Sequence, residues 1–189
     1  MDRVSQGHTC IDIPALSVGI DPEVAVASLR YFDAAGVFAG AVREAVGRPL
    51  PGPLRAVSEA LTTELEGATP RGHLILAWRS PTETVVLSND RTAFASLERR
   101  LAGAQHGCMV NQSGGIWTIR VQGSGARELM LRLGSAASIP APGEARSSRL
   151  ADLHVMAICV HAGEILLLVE RVYTDHLLAW IRATAADFS

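Results

Sequence analysis

Apolar and polar positions change period along this chain, and the changes predict its elements. Residues 24–32 are apolar and partly alternating, which predicts a strand. Asp33 then supplies a helix N-cap, and Val37, Phe38, Ala41, Val42 and Ala45 form a helical stripe. Gly47 sits where a helix ends, and Pro49, Pro51 and Pro53 block its continuation. Leu54, Val57, Leu61 and Leu65 recur at three and four, so residues 54–66 read as a second, shorter helix closed by Gly67. Residues 73–79 read as a strand, Ser80-Pro81-Thr82 as a turn and residues 83–88 as the hairpin partner. From Asp90 a capped amphipathic helix follows, with Phe94, Leu97 and Leu101 on one face and Arg99 and Arg100 on the other.

The second half repeats this order. In residues 115–122, Ile116, Thr118, Arg120 and Gln122 alternate against Trp117, Ile119 and Val121, as in a strand. Gly123-Ser124-Gly125 turns, with Ser124 as N-cap, into a helix bearing Leu129, Met130 and Leu133. A Pro/Gly/Ser-rich loop over residues 138–148 leads to a strand over 150–161, and Ala162-Gly163 turns it back into residues 164–171. Thr174 caps a last helix whose apolar face is Leu177, Leu178 and Ile181. Each half reads strand, helix, two-stranded hairpin, helix. The fold expected is therefore α+β: two tandem β-α-β-β-α repeats, their antiparallel sheets covered by helices. Residues 1–18 show no period and read as a tail; residues 19–109 and 110–189 read as the two repeats of one compact unit.

Composition narrows the function classes. Of 189 residues, 48% are hydrophobic and 19% charged, which is a globular balance. A net charge of −2 argues against a nucleic-acid partner. All 17 basic residues are arginine, so Schiff-base, P-loop and general-base lysines are excluded. Cys10, Cys108 and Cys159 are odd in number and far apart, unlike a secreted disulfide scaffold. The chain opens on Asp2 and Arg3 without an apolar leader, and no apolar run approaches the ~20 residues of a membrane span. A cytoplasmic location and no membrane partner are the expectation.

Candidate chemistry is sparse. Gly123-Ser124-Gly125 precedes a helix, but Glu128 stands where a dinucleotide fingerprint needs its third glycine, so the stretch reads as a turn. His8/Cys10 and His106/Cys108 lack the clustered partners of a zinc site, and no metal is expected. There is no Gly-x-Ser-x-Gly elbow, and Ser113 before Gly114-Gly115 reads as turn chemistry. Asp175 and His176, adjacent on a helix, point about 100° apart and cannot jointly address one substrate. His154 and His161, seven apart on the expected strand, project from opposite faces. Glu59, Glu64 and Glu66 read as a solvated helix face, and Glu164 and Glu170 flank a strand. No catalytic residue is assigned.

Three stretches carry a resemblance. The first is Ala27-Ser28-Leu29-Arg30, then an Ala/Gly-rich helix and Gly47-Arg48-Pro49-Leu50-Pro51. The second is Leu76-Ala77-Trp78-Arg79-Ser80-Pro81-Thr82-Glu83-Thr84-Val85-Val86-Leu87. The third is Val169-Glu170-Arg171-Val172-Tyr173-Thr174-Asp175-His176-Leu177-Leu178-Ala179-Trp180-Ile181. In that order the sequence resembles the gamma subunit of heterotetrameric sarcosine oxidase, over residues 24–183. That family is similar to the folate-binding domain of the glycine-cleavage aminomethyltransferase. Ile119-Arg120-Val121-Gln122-Gly123-Ser124-Gly125-Ala126-Arg127-Glu128-Leu129 is similar to an element of both. Where the family tends to carry an acid before a Ser, this chain reads Val110-Asn111-Gln112-Ser113, and no counterpart of the aminomethyltransferase's catalytic aspartate is found.

The resemblance implies an aminomethyltransferase-like folate-binding fold. It also implies an accessory subunit, without catalysis of its own, of a complex that oxidises sarcosine or a related N-methyl amine. Flavin, NAD and tetrahydrofolate would then sit on larger partner chains, and the chain expressed alone would self-associate. Trp78, Pro81, Tyr173, His176 and Trp180 are the expected interface, since aromatics are enriched at interfaces. The alternative is a free-standing folate- or pterin-binding module using Asn111, Trp117 and Arg120. An independent methyltransferase-like enzyme ranks below both.

Overall fold

Edge strands, absent from the expected pattern, complete each sheet. The structure, a computed structural model, describes residues 8–61 and 72–188. In chain order the strands and helices are β1 (His8–Ile13), β2 (Leu16–Asp21), β3 (Ala25–Tyr31), α1 (Val37–Val46), β4 (Ala56–Leu61), β5 (Gly72–Ser80), β6 (Glu83–Ser88) and α2 (Arg91–Leu101). Then come β7 (Gly107–Asn111), β8 (Ile116–Gln122), α3 (Ala126–Leu133), β9 (Glu144–Leu150), β10 (Leu153–Cys159), β11 (Glu164–Glu170) and α4 (Thr174–Ala185). All pairings are antiparallel, in a sheet of order β4-β5-β6-β3-β7 and a second of order β1-β2-β8-β11-β10-β9.

The α+β class holds, and its repeat is stricter than the sequence suggests. Elements β3-α1-β4-β5-β6-α2 and β8-α3-β9-β10-β11-α4 run in the same order, and their strands pair in the same order, β4-β5-β6-β3 and β9-β10-β11-β8. Each repeat thus has one strand more than expected. The flanking strands are exchanged: β2, ahead of β3, pairs with β8, while β7, ahead of β8, pairs with β3. Two compact units result, Val24–Ser113 and a second made of Met1–Glu23 with Gly114–Ser189.

Within Val24–Ser113, Leu29 and Tyr31 of β3, Leu74 and Leu76 of β5 and Val86 of β6 pack against α1 and α2. The helices contribute Phe38, Val42, Ala45 and Val46, and Ala93, Leu97 and Leu101. In the other unit Val18, Ile119, Val121, Leu167 and Val169 meet Leu129, Met130 and Leu133 of α3 and Leu177, Leu178 and Ile181 of α4. Each fully buried Leu, Ile or Phe contributes about 1.5–3 kcal/mol. The expected stripes of α2, α3 and α4 are the ones that are buried, whereas in α1 Phe38, Val42 and Ala45 are buried but Val37, expected on the same stripe, is 64% exposed and Val46 takes its place in the core.

Several local expectations need correction. The helix over 54–66 is replaced, as far as Leu61, by the edge strand β4; residues 62–66 and Gly67 lie outside the described residues. Leu54 has a φ of 61°, which no right-handed helix accepts, and residues from Ala56 on pair with β5. The expected tail, residues 1–18, contains β1 and the first half of β2 instead: residues 8–13 and 16–21 form the β1–β2 hairpin, whose β2 bonds along β8. The strand expected over 150–161 is the shorter β10, and the expected loop ahead of it holds β9: Ala151 and Asp152, at φ 48° and 63°, turn β9 into β10. Ser124 and Thr174 make no N-cap bond, since their helices start after Gly125 and Tyr173. Asp33 lies ahead of the Gly36 cap and accepts the Ala35 N–H instead, whereas Asp90 does cap α2 through the Thr92 and Ala93 N–H groups.

Candidate subunit interface and ligand sites

Helix α4 buries one face and leaves a second, aromatic one bare. Leu177, Leu178 and Ile181 point into the core. At helical spacing, about 100° per residue, positions 173, 176 and 180 fall within roughly 60° of one another around the axis. Tyr173 is 47% exposed, Trp180 50% and Val172, just ahead of the helix, 80%. His176 is exposed between them. This stripe offers a large apolar area with polar tips, the composition that interfaces favour.

Trp78 and Pro81 belong to the other unit and do not form a patch of this kind. The β5–β6 register sets Trp78 opposite Thr84, on the helix-covered side with Leu76 and Val86, and it is half-buried. Its backbone N–H bonds Arg55 O at 2.9 Å, anchoring the stretch before β4. Pro81 is exposed in the tight turn.

Of Asn111, Trp117 and Arg120, the last two share a strand but not a face of it. Trp117 and Arg120 are three apart on β8, so they project from opposite faces of the sheet. The Trp117 ring lies under the Arg171 guanidinium, 5.1 Å from its centroid. Arg120 is engaged by Asp21 Oδ2 at 3.2 Å and by Glu164, and Gln122 adds a 3.1 Å bond to Glu164. Asn111 belongs to β7 of the other unit, where its Oδ1 accepts the Ser113 N–H at 3.0 Å. A folate needs an amide or acid for its pterin and a cation for its glutamate; Arg120 already has two carboxylate partners and faces away from Trp117.

The remaining motifs serve the fold. Ser113 Oγ accepts the Val26 N–H at 3.0 Å and donates to Val26 O, closing the turn after β7. Gly123, at φ 111°, passes so close to the β1–β2 turn that a Cβ would lie 2.4 Å from Ala15 O, and Gly125 N–H bonds the same carbonyl at 2.8 Å. Glu128 pairs with Arg132 at 2.9 Å. His154 lies on β10, but His161 lies beyond its end, where its carbonyl accepts the Cys159 thiol at 3.2 Å. Burial, then Glu164 and Glu144, push the Cys159 thiol pKa up. Among the described residues no three His, Cys, Asp or Glu side chains gather as metal ligands, and no helix is long and apolar enough to cross a membrane.

A cavity of about 670 Å³ is lined by Arg30, Tyr31, Phe32, Glu83, His106 and Cys108, among others, all within Val24–Ser113. Sequence reasoning missed it because its walls come from three strand ends that are adjacent only once β7 joins β3. The His106/Cys108 spacing was the single local signal.

Comparison with known proteins follows the same outline. A model of the family described as "Sarcosine oxidase, gamma subunit family" matches residues 31–187. Heterotetrameric sarcosine oxidase from Corynebacterium sp. U-96, solved in complex with pyrrole 2-carboxylate, has a similar fold. It superposes at a TM-score of 0.76 and 17% identity, over 96% of this chain and 89% of the matched one. The glycine cleavage system aminomethyltransferase T from Bartonella henselae superposes at 0.68 and 12% identity, over 88% of this chain. The match covers 45% of that enzyme's own length. No curated protein sequence matches the chain.

Proposed function

The chain belongs to the sarcosine oxidase gamma subunit family, and from that premise we propose that it is the gamma-like subunit of a heterotetrameric, sarcosine oxidase-type flavoenzyme. In this reading it catalyses nothing alone. It packs against larger chains that carry flavin, NAD and tetrahydrofolate, and the assembly oxidises sarcosine or a related N-methyl amine in the cytoplasm.

The observation that carries the reading is the bare stripe Tyr173, His176 and Trp180 with Val172 beside it, on a helix whose other side is fully used by the core. A similarly folded chain belongs to an oxidase that is heterotetrameric by its own description. A half-exposed Tyr and Trp about two helical turns apart on one face retain apolar area that a partner can remove from water, at about 25 cal/mol per Å². The free-standing folate module is disfavoured, because Trp117 and Arg120 face apart and Arg120 is already paired. Isolation of the tagged chain from its native host tests the reading: it predicts co-purification of a flavoprotein that oxidises sarcosine, and a colourless, lone chain contradicts it.

A further inference from the structure

The cavity within Val24–Ser113 has recognition chemistry of its own. Strand β3 runs between β6 and β7, and the registers set Glu83 and Cys108 on either side of Arg30. Glu83, the one acid in the lining, is turned to other partners: its carboxylate accepts the Ser28 hydroxyl at 2.5 Å and pairs with Arg79 at 3.3 Å. Among the described residues no carboxylate pairs with the Arg30 guanidinium. On one side, Phe32 presents a ring that is 83% exposed. On another, His106 is held at φ 63°, a left-handed conformation that few non-glycine residues adopt, and its carbonyl accepts the Phe32 N–H. Tyr31, its hydroxyl bonded to Thr84, closes part of the wall.

We propose that this cavity binds a small organic monocarboxylate with an apolar, ring-sized body. The carboxylate forms a planar, forked pair with Arg30, and the body packs against Phe32. A volume of about 670 Å³ falls within the range of small-molecule sites, and a lone acidic side chain from a protein would fill little of it. A phosphate dianion suits the site less well: one guanidinium, without a carboxylate partner among the described residues, faces it, with the Glu83 carboxylate nearby.

The test is titration of the full chain, isotope-labelled for NMR, with benzoate, and with benzyl alcohol and inorganic phosphate as controls. Benzoate is expected to shift the backbone amides of Phe32, Gly107 and Cys108 saturably, and to slow alkylation of the exposed Cys108 thiol by iodoacetamide. Arg30→Gln should weaken benzoate binding about tenfold with the circular dichroism spectrum unchanged, as loss of a charge-assisted pair requires. Phe32→Ala should weaken it several-fold. The two controls should bind at least about tenfold more weakly than benzoate. Shifts located elsewhere, equal binding to Arg30→Gln, or tighter binding of phosphate would overturn the proposal. Because the isolated chain is measured, such a failure leaves the subunit reading untouched.

Discussion

Arg120 and Asp21 meet across the β2–β8 ladder, Nη2 to Oδ2 at 3.2 Å, with the Asp21 side chain only 5% exposed. One partner ends β2, a strand that the sequence pattern does not announce, and the other comes from the interior of the sheet. Removing the guanidinium takes a paired cation away from a nearly buried carboxylate. Arg120→Met is therefore expected to destabilise the chain by about 2–4 kcal/mol in urea unfolding. Adding Asp21→Asn should recover part of that loss, a coupling that a double-mutant cycle measures.

Deleting residues 1–21 should be far more damaging than trimming a tail. Without β2, the edge of β8 presents unpaired N–H and C=O groups from Thr118 to Gln122, and Leu16 and Val18 leave the core. The truncated chain is expected to aggregate at concentrations where the full chain stays dispersed, as light scattering would record.

At Gly107, a Cβ would lie 2.3 Å from Phe38 Cγ and 2.6 Å from Arg30 O. The ring of Phe38, on α1, is fully buried in the core and has no room to yield. Gly107→Ala should cost about 2–3 kcal/mol, by analogy with other overpacked cores. Gly52→Ala, which meets nothing within 4 Å, serves as the neutral comparison.

Cys159 gives a pH signature. Its thiol pKa is raised by burial, so the folded state holds the proton more tightly than the unfolded chain does. Between the unfolded and folded values the unfolded state binds fewer protons, and stability falls as pH rises. The contribution is complete below the ordinary thiol value of 9.0 and is lost above it. The chain has no lysine to titrate in this window. Cys159→Ala should flatten it in melts across that window. Alkylation should reach exposed Cys108 before buried Cys159.

Legibility in the sequence followed burial. The helices α1, α2, α3 and α4 were readable because each has one side in a core, which imposes a 3.6-residue period. Strands β3, β5, β6, β8 and β11, in the sheet interiors, were readable too. The missed strands carry weak patterns: β9, read as part of a loop, buries only Ala145 and Leu150 of Glu-Ala-Arg-Ser-Ser-Arg-Leu. Its turn, Ala151-Asp152, lacks the glycine or asparagine that normally announces a hairpin. In β4, a chance spacing of Leu54, Val57 and Leu61 imitated a helix until pairing with β5 decided otherwise.

The candidate sites divide in the same way. Spacing on α4 sufficed to group Tyr173, His176 and Trp180, because a helix places residues three and four apart together without help from the rest of the fold. Trp117 and Arg120 were grouped by chemical type, and the strand's two-residue alternation separates them. The Arg30 cavity depends on β7 joining β3, a long-range pairing that no local pattern encodes.

The most direct measurement of the central claim is a side-by-side isolation from the native host of the tagged chain and its Tyr173→Ser/Trp180→Ser variant. Size, flavin absorbance and sarcosine-oxidising activity are read on each eluate. The account predicts a large, yellow, active complex with the unaltered chain. It predicts at least about tenfold less complex with the variant, as expected for removal of two aromatic anchors, while the variant melts within a few degrees of the unaltered chain. Recovery of the unaltered chain alone and colourless, or a variant that assembles as well as the original, would contradict it.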